Sequence, residues 1–394
     1  MPIPTPFHER TAPLCTSYRW KEWAGFHAVC SYGTCHEPEY LAFRNAAGLL
    51  DVSPLKKYEV TGPDAAAFLS YLATRNITKL KVGRVTYTCF CDGAGKLIDD
   101  GTIARLGEHH YRVTAASPLF WWLDRNRRGF QVEISDTSDS IAALAIQGPM
   151  SRGVLESAIG SELSLKFFQV GAATIDGVDV EISRTGYTGD LGYEVWIPAD
   201  RALEVWDSIT GAGRAYGLLP AGLDALDITR VEAGFVLQDV DYFSAPHCVI
   251  ESRKSSPYEA GLGWTVQLDR EPFLGQRALQ TESQQGSVWQ LVGLDIDWVA
   301  TQKLYDSYDL PPHLPAGAWR TAVPVFDGRR QIGQGTSGSW SPILKRNLAL
   351  ATVRTEYAKV GTELQIEHTV EFERRTLPAK VVERPFFDPE RKRA

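Results

Sequence analysis

Asp99 and Asp100 are the residues whose type and spacing most directly suggest chemistry. They lie in Lys96-Leu97-Ile98-Asp99-Asp100-Gly101-Thr102, which reads as a strand, and the two-residue period of a strand sends the two carboxylates to opposite faces. Only one of them can face a given cleft. Adjacent acids near a hairpin are ordinarily solvated charges, but apolar residues flank this pair on both sides. A carboxylate in that setting can orient a substrate, relay a proton or stabilise positive charge developing on nitrogen. No Ser/His or Cys/His constellation points to covalent catalysis. Cys89-x-Cys91 lacks a second Cys/His pair at ligand spacing, so strand alternation accounts for it and no metal site is expected.

The elements that must position these acids follow from local pattern. Tyr58-Glu59-Val60-Thr61-Gly62-Pro63 reads as a strand closed by a Gly-Pro turn, and Ala65 to Leu72 carries helical apolar spacing. Thr86 to Cys91 runs into Asp92-Gly93-Ala94-Gly95, whose glycines permit a tight reversal, and Lys96 to Ala104 returns as the partner strand. His110 to Ala115 is a further strand, followed by a Trp-rich helix over Pro118 to Arg127 with Trp121 and Trp122. Ile141 to Ile146 and Val178 to Ser183 read as strands, Ala202 to Thr210 and Asp224 to Ala233 as helices. After about Lys303 the pattern shifts to short strands broken by turns, the signature of a small β-barrel or sandwich.

Composition bounds the answer. The 394 residues exceed one ordinary core, since domains hold about 100–200 residues. Hydrophobic residues make up 44% and charged residues 23%, the balance of a globular protein. The formal charge of −7 comes with scattered basic residues, so no cationic stripe exists to neutralise a phosphate backbone and nucleic acid is not expected as a partner. The opening MPIPTPFHER has no apolar signal core, and no apolar run reaches the roughly 18 residues a membrane span needs. Six cysteines in a chain this long form no disulfide framework and read as structural free thiols. These features predict a cytoplasmic protein without a membrane partner.

Several blocks then acquire a common meaning. Leu49-Leu50-Asp51-Val52-Ser53, the Asp99-Asp100 hairpin, Ile146-Gln147-Gly148-Pro149, Arg184-Thr185-Gly186-Tyr187-Thr188-Gly189-Asp190 with Gly192-Tyr193-Glu194, and Pro220-Ala221-Gly222-Leu223 with Arg230-Val231-Glu232-Ala233-Gly234 occur in that order. Together with Gly261-Leu262-Gly263-Trp264 and Gly335-Thr336-Ser337-Gly338, they resemble the aminomethyltransferase, or glycine-cleavage T-protein, family over about residues 5 to 385. The resemblance implies an α+β fold: a three-lobed cloverleaf with ferredoxin-like or mixed α+β lobes and a small C-terminal β-barrel. It implies a central folate-binding domain over 1–54 and 139–245, a second α+β domain over 55–138 carrying the hairpin, and a C-terminal domain over 246–394.

The resemblance further implies tetrahydrofolate as cofactor, with Asp100, the second acid of the pair, near its reacting nitrogens. The same matching carries Tyr87, Tyr187 and Glu194 over as folate-pocket residues, with Thr114 where the family has an asparagine. A carboxylate at Glu194 suits the 2-amino and N3–H edge of a pterin, which presents two parallel donors. Other positions depart from the family: Leu226 replaces an arginine, Pro54 a histidine, and an insertion carrying His247, Cys248 and Arg253 separates Gln238-Asp239 from Ser256-Pro257. Loss of a guanidinium removes a fixed charge and a donor fork. These departures favour a small methyl donor and a demethylase-like reaction over the aminomethylated lipoyl arm of a carrier protein. Trp20, Trp23, Trp121 and Trp122 could face a cationic or aromatic donor, although core packing is the commoner role of such rings.

Three other readings remain at this level. The T-protein reaction itself is one. A non-catalytic folate-binding protein of the iron–sulfur assembly type is another, and it would call for a cysteine that Gly234-Phe235-Val236-Leu237-Gln238 lacks. A folate domain serving a flavin amine oxidase would need a separate flavin subunit, because no Gly-x-Gly-x-x-Gly opens a dinucleotide fold here.

Overall fold

A computed structural model describes residues 1–394. The central six-stranded sheet runs in the order Val170–Ile175, Val178–Ser183, Gly192–Pro198, Ile141–Gln147, Ala47–Asp51 and Leu218–Pro220. All neighbours are antiparallel except the last pair. Strand alternation builds two cores from one sheet. Leu144, Ile146, Val195 and Ile197 pack beneath the helices Ser151–Ile159 and Ala202–Gly213. On the opposite face Ala143 and Ala145 are small, and the helices Glu37–Asn45 and Leu223–Glu232 bring Tyr40, Phe43, Ala225 and Ile228 against them.

The second sheet is wholly antiparallel, in the order Val85–Cys91, Leu97–Gly107, His110–Ala115, Lys56–Thr61, Glu133–Asp136. Helices Ala65–Leu72 and Phe120–Asn126 cover one face, where Phe68, Leu69, Trp122 and Leu123 meet Val60, Ile103 and Val113. Of the turn glycines only Gly95 adopts a left-handed backbone, at φ +73°. The Asp92 carboxylate fixes the reversal by accepting from the amides of Ala94 and Lys96, each at 2.9 Å. Gly101, directly after the acid pair, is required by close approach: a Cβ there would lie 2.1 Å from the Thr114 carbonyl oxygen.

A closed six-stranded barrel completes the α+β fold, in the order Trp289–Ile296, Arg346–Arg354, Arg330–Ser341, Val323–Asp327, Glu363–Val370, Glu373–Val382. Its first strand lies upstream of the shift in pattern near Lys303 that marked the barrel in the sequence. Trp289–Ile296 pairs with the last strand as well as with Arg346–Arg354, and this long-range closure removes the exposed edges of the sheet. Beyond the barrel the chain returns to the central lobe. The Phe387 amide donates to the Glu232 carbonyl at 2.9 Å, and Arg391 grips Asp190 with two bonds of 2.7 and 2.8 Å. No helix is long and apolar enough to cross a membrane.

Candidate functional site

The pairing register of the second sheet places the two acids. Asp100 pairs with Cys89, and Tyr87, Thr102 and Thr114 form one row across three strands. Tyr87, Asp100, Thr102 and Thr114 therefore share the face turned away from the covering helices. Asp99 points the other way. It is 1% exposed and accepts from the Asp100 amide at 2.8 Å and the Ser117 amide at 3.2 Å. Burial, reinforced by the adjacent Asp100 charge, pushes the Asp99 carboxyl well above the usual carboxylate range.

Both oxygens of Asp100 are held by phenols. Tyr87 donates to Oδ2 at 2.5 Å, and Tyr242 donates to Oδ1. Burial pushes the Asp100 carboxyl up, while the phenols of Tyr242 and Tyr87 pull it back by solvating the charged form. The phenols themselves are pushed well above their ordinary value, first by burial and then by the Asp100 charge, so they stay protonated donors.

Two stacked aromatic pairs stand around this carboxylate. Tyr87 stacks on the exposed Trp264, with centroids 5.7 Å apart and planes 15° from parallel, and the Arg75 guanidinium lies 5.2 Å from the Trp264 centroid. Tyr187 stacks on Phe235 at 5.6 Å and donates its hydroxyl to the Val236 carbonyl. Tyr187 is near enough to Asp100 for that charge to add to burial in raising its phenol. Of the tryptophans weighed from sequence, Trp122 belongs to the second-lobe core, and Trp20 packs on His8 in the N-terminal segment.

Thr114 belongs to a neighbouring recess between the first two lobes, and Glu194 is bonded to two residues of its lining, Ser183 and Thr185. Thr102, Arg112 and Thr114 line it from the second sheet, and Ser183, Thr185 and Trp196 from the central one. Glu194 pairs across strands with Ser183. Its Oε2 accepts from the Thr185 hydroxyl at 2.5 Å and the Ser183 hydroxyl at 3.5 Å, whereas Oε1 takes no hydrogen bond from the protein. Burial pushes this carboxyl up and the two hydroxyls pull it down. A carboxylate with one free oxygen and spare acceptor capacity on the other fits a planar edge carrying two N–H donors.

The remaining charge is concentrated at Arg230, which is 1% exposed. It donates to Asp227 at 2.7 Å, to Asp241 at 2.6 Å and to the Ser337 hydroxyl at 3.0 Å. Asp227 also accepts from Arg320 of the C-terminal domain at 2.7 Å. A barrel arginine thus reaches the residue next to Leu226.

The structure brings Tyr87, Asp100 and Tyr187 together, sets Thr114 in the adjoining recess and bonds Glu194 to Ser183 and Thr185 of that recess's wall. Sequence reading missed Tyr242, Trp264 and Phe235 as members of the site. Trp264 carried a signal, since it closes the Gly261-Leu262-Gly263 block. Tyr242 carried none, because it lies in the segment that departs from the family pattern.

Comparison with known proteins agrees with this architecture. Residues 7–270 match the GCVT N-terminal domain, and residues 313–388 match the glycine cleavage T-protein C-terminal barrel domain. The chain is 37% identical over 371 residues to an aminomethyltransferase of Halothermothrix orenii, an alignment covering 93% of this chain and 95% of that protein. It is 36% identical over 404 residues to a trimethylamine-oxide aldolase of Ruegeria pomeroyi, spanning 99% of this chain but 47% of that longer protein. The crystal structure of the glycine cleavage system aminomethyltransferase T from Bartonella henselae superposes with a TM-score of 0.83 at 25% identity, covering 98% and 99% of the two chains.

Proposed function

The chain belongs to the glycine-cleavage T-protein family, and on that premise we propose that it moves a one-carbon group from a small donor to N5 of tetrahydrofolate, in a demethylase-like reaction. The observation that carries this reading is the Asp100 carboxylate, held by two phenols and flanked by two stacked aromatic pairs. Tetrahydrofolate, when bound, supplies the nucleophilic nitrogen. Glu194 would hold the pterin edge in the recess beside Thr114. Asp100 would orient the reacting nitrogen and offset positive charge developing there, a contribution of about 10²–10⁴-fold for a positioned acid–base group. Tyr87 and Tyr187 would line the space between. The central folate-binding domain is assigned to residues 1–54 and 139–245, the acid-bearing domain to 55–138, and the barrel with its connecting segment to 246–394.

The walls support a reading of the donor class. Aromatic faces around a carboxylate favour a cation over a neutral group, and the alignment with a trimethylamine-oxide aldolase adds support for a methylated amine. The substitution of Leu226 and Thr114 for the family's arginine and asparagine counts against a lipoylated carrier as the principal donor. We assign the activity to the cytoplasm, with a small molecule as the reaction partner.

One assay tests the reading. The enzyme is incubated with tetrahydrofolate and, separately, methylated amines, sulfonium compounds and methoxyaromatics, with formation of 5-methyl- or methylene-tetrahydrofolate followed by chromatography. Turnover with a small donor is expected. Robust ammonia release from aminomethylated lipoyl carrier protein, with no reaction of any small donor, would replace it with the glycine-cleavage reaction itself.

A further inference from the structure

The segment after the Leu223–Glu232 helix is stitched along the strand that carries the acids. The Gln238 side chain accepts from the Ser117 hydroxyl at 2.8 Å. Ser244 donates its hydroxyl to the Ile98 carbonyl at 2.6 Å, and the Ala245 amide donates to the Leu97 carbonyl at 2.7 Å. On the return, the Leu97 amide donates to the Ser255 carbonyl at 2.9 Å. Within the segment the Asp239 amide closes a tight turn onto the Tyr242 carbonyl at 2.7 Å, with Asp239 itself in a left-handed conformation at φ +60°. The result is a rigid frame around Tyr242, which is 1% exposed and whose hydroxyl meets Asp100 Oδ1.

We propose that Tyr242 is a positioning residue for the reaction of Asp100, and that the segment 238–256 exists in this chain to deliver it. The inference rests on the folate-transfer reading for the identity of the reaction, but its geometry stands independently. A carboxylate rotates about its last bond unless both oxygens are engaged. Tyr87, from the neighbouring strand, engages one oxygen, and without Tyr242 the other would have no donor. Two phenols supply hydrogen bonds to the charged form without introducing a cation that would lock it, so Asp100 stays free to respond to a ligand.

The other groups facing Asp100 do not substitute for Tyr242. Cys89 and Tyr87 approach from the neighbouring strand, Asp99 from its own strand, Tyr187 from the loop before Gly192–Pro198, and Asp241 from the segment itself. Asp241 opposes ionisation of Asp100. Arg230 bonds Asp227 through Nε and Asp241 through Nη1, and none of its nitrogens bonds Asp100.

The test reads Asp100 directly. Full-length protein labelled with carboxyl-¹³C aspartate is titrated by NMR, the Asp100 resonance being assigned by its loss in Asp100→Asn. In Tyr242→Phe the titration midpoint of Asp100 should rise, because the charged form loses one donor, while affinity for 5-formyltetrahydrofolate stays within about threefold, as expected for a residue whose hydroxyl is spent inside the protein. A purely structural tyrosine would lower the melting temperature and leave the midpoint where it was, which overturns the proposal. If Tyr242→Phe does not fold, Ser244→Ala decides, since it loosens the frame and retains the phenol. A smaller rise there supports the proposal and an unmoved midpoint overturns it. Failure of wild-type protein to bind 5-formyltetrahydrofolate would sink the folate reading while leaving the Asp100–Tyr242 result to stand or fall on its own titration.

Discussion

Two clusters of buried acids lie side by side in this molecule and are satisfied by different chemistry. At Arg230, Asp227 and Asp241 are gripped by a guanidinium, with Arg320 and the hydroxyls of Ser337 and Thr336 completing the shell. At Asp100 there is no cation, only two phenols. A carboxylate paired with arginine in the interior is fixed in charge and position, and its removal leaves a stranded partner. A carboxylate held by neutral donors remains open to titration and to a ligand. The first arrangement joins the Leu223–Glu232 helix to the barrel, because Ser337 and Thr336 come from the Arg330–Ser341 strand; the second leaves a carboxylate without a countercharge where the lobes meet.

The largest effect expected from this contrast is on stability at the arginine. Arg230→Met leaves Asp227 with Arg320 and Asp241 with two hydroxyls and the Leu237 amide but no cation, and breaking a buried pair in this way costs about 3–5 kcal/mol. Urea unfolding measures it. A loss of less than about 1 kcal/mol, the range of exposed pairs, would mean that the two clusters do not differ in kind.

Next comes the acid itself. Asp100→Asn keeps the shape and removes the charge, so turnover with a reactive donor should fall by about 10²-fold or more. Wild-type turnover should rise with pH as Asp100 loses its proton, with the limb displaced above the ordinary carboxylate range of about pH 4 because burial raises this group; the limb should vanish in the variant. The stability effect runs the other way. A carboxyl raised in the fold stabilises the protein below its unfolded pKa, and that contribution is lost as pH rises through the folded value. At neutral pH the variant should therefore melt no lower than wild type through this group's ionisation.

Glu194→Gln probes the adjoining recess. Replacing a charge-assisted contact by a neutral one should weaken 5-formyltetrahydrofolate by about tenfold or more, the equivalent of about 1.5–3 kcal/mol. Unchanged affinity by calorimetry would remove Glu194 from the folate site. Asp99→Asn is expected to do least to catalysis, with turnover within about threefold, since Asp99 faces the covering helices and bonds only to backbone amides. A turnover loss at Asp99 equal to that at Asp100 would show that the charge of the pair, and not its orientation, is what matters.

The elements that carry this contrast could be read before the structure, and the contacts that make it could not. The helix Ala65–Leu72 and the strands His110–Ala115 and Val178–Ser183 have the bounds their patterns predict, because apolar period and turn residues act over a few positions. The opposite orientation of Asp99 and Asp100 follows from the same local geometry. The barrel's first strand was missed because its identity depends on pairing with a strand that begins at Glu373, and nothing near Trp289 records that pairing.

What the sequence alone determined, then, is the local grammar: a hairpin bearing two acids, their opposite facing along one strand, and the motif order of the family. What tertiary structure decided is which groups meet the acid. Tyr242 reaches Asp100 across 142 positions of chain, Trp264 reaches Tyr87 from a third segment, and Arg320 reaches Asp227 from the C-terminal domain. Residue type and short-range spacing carry no signal for such meetings, because they arise only when separately stabilised lobes pack and each buried polar group must find a partner wherever the packing places one.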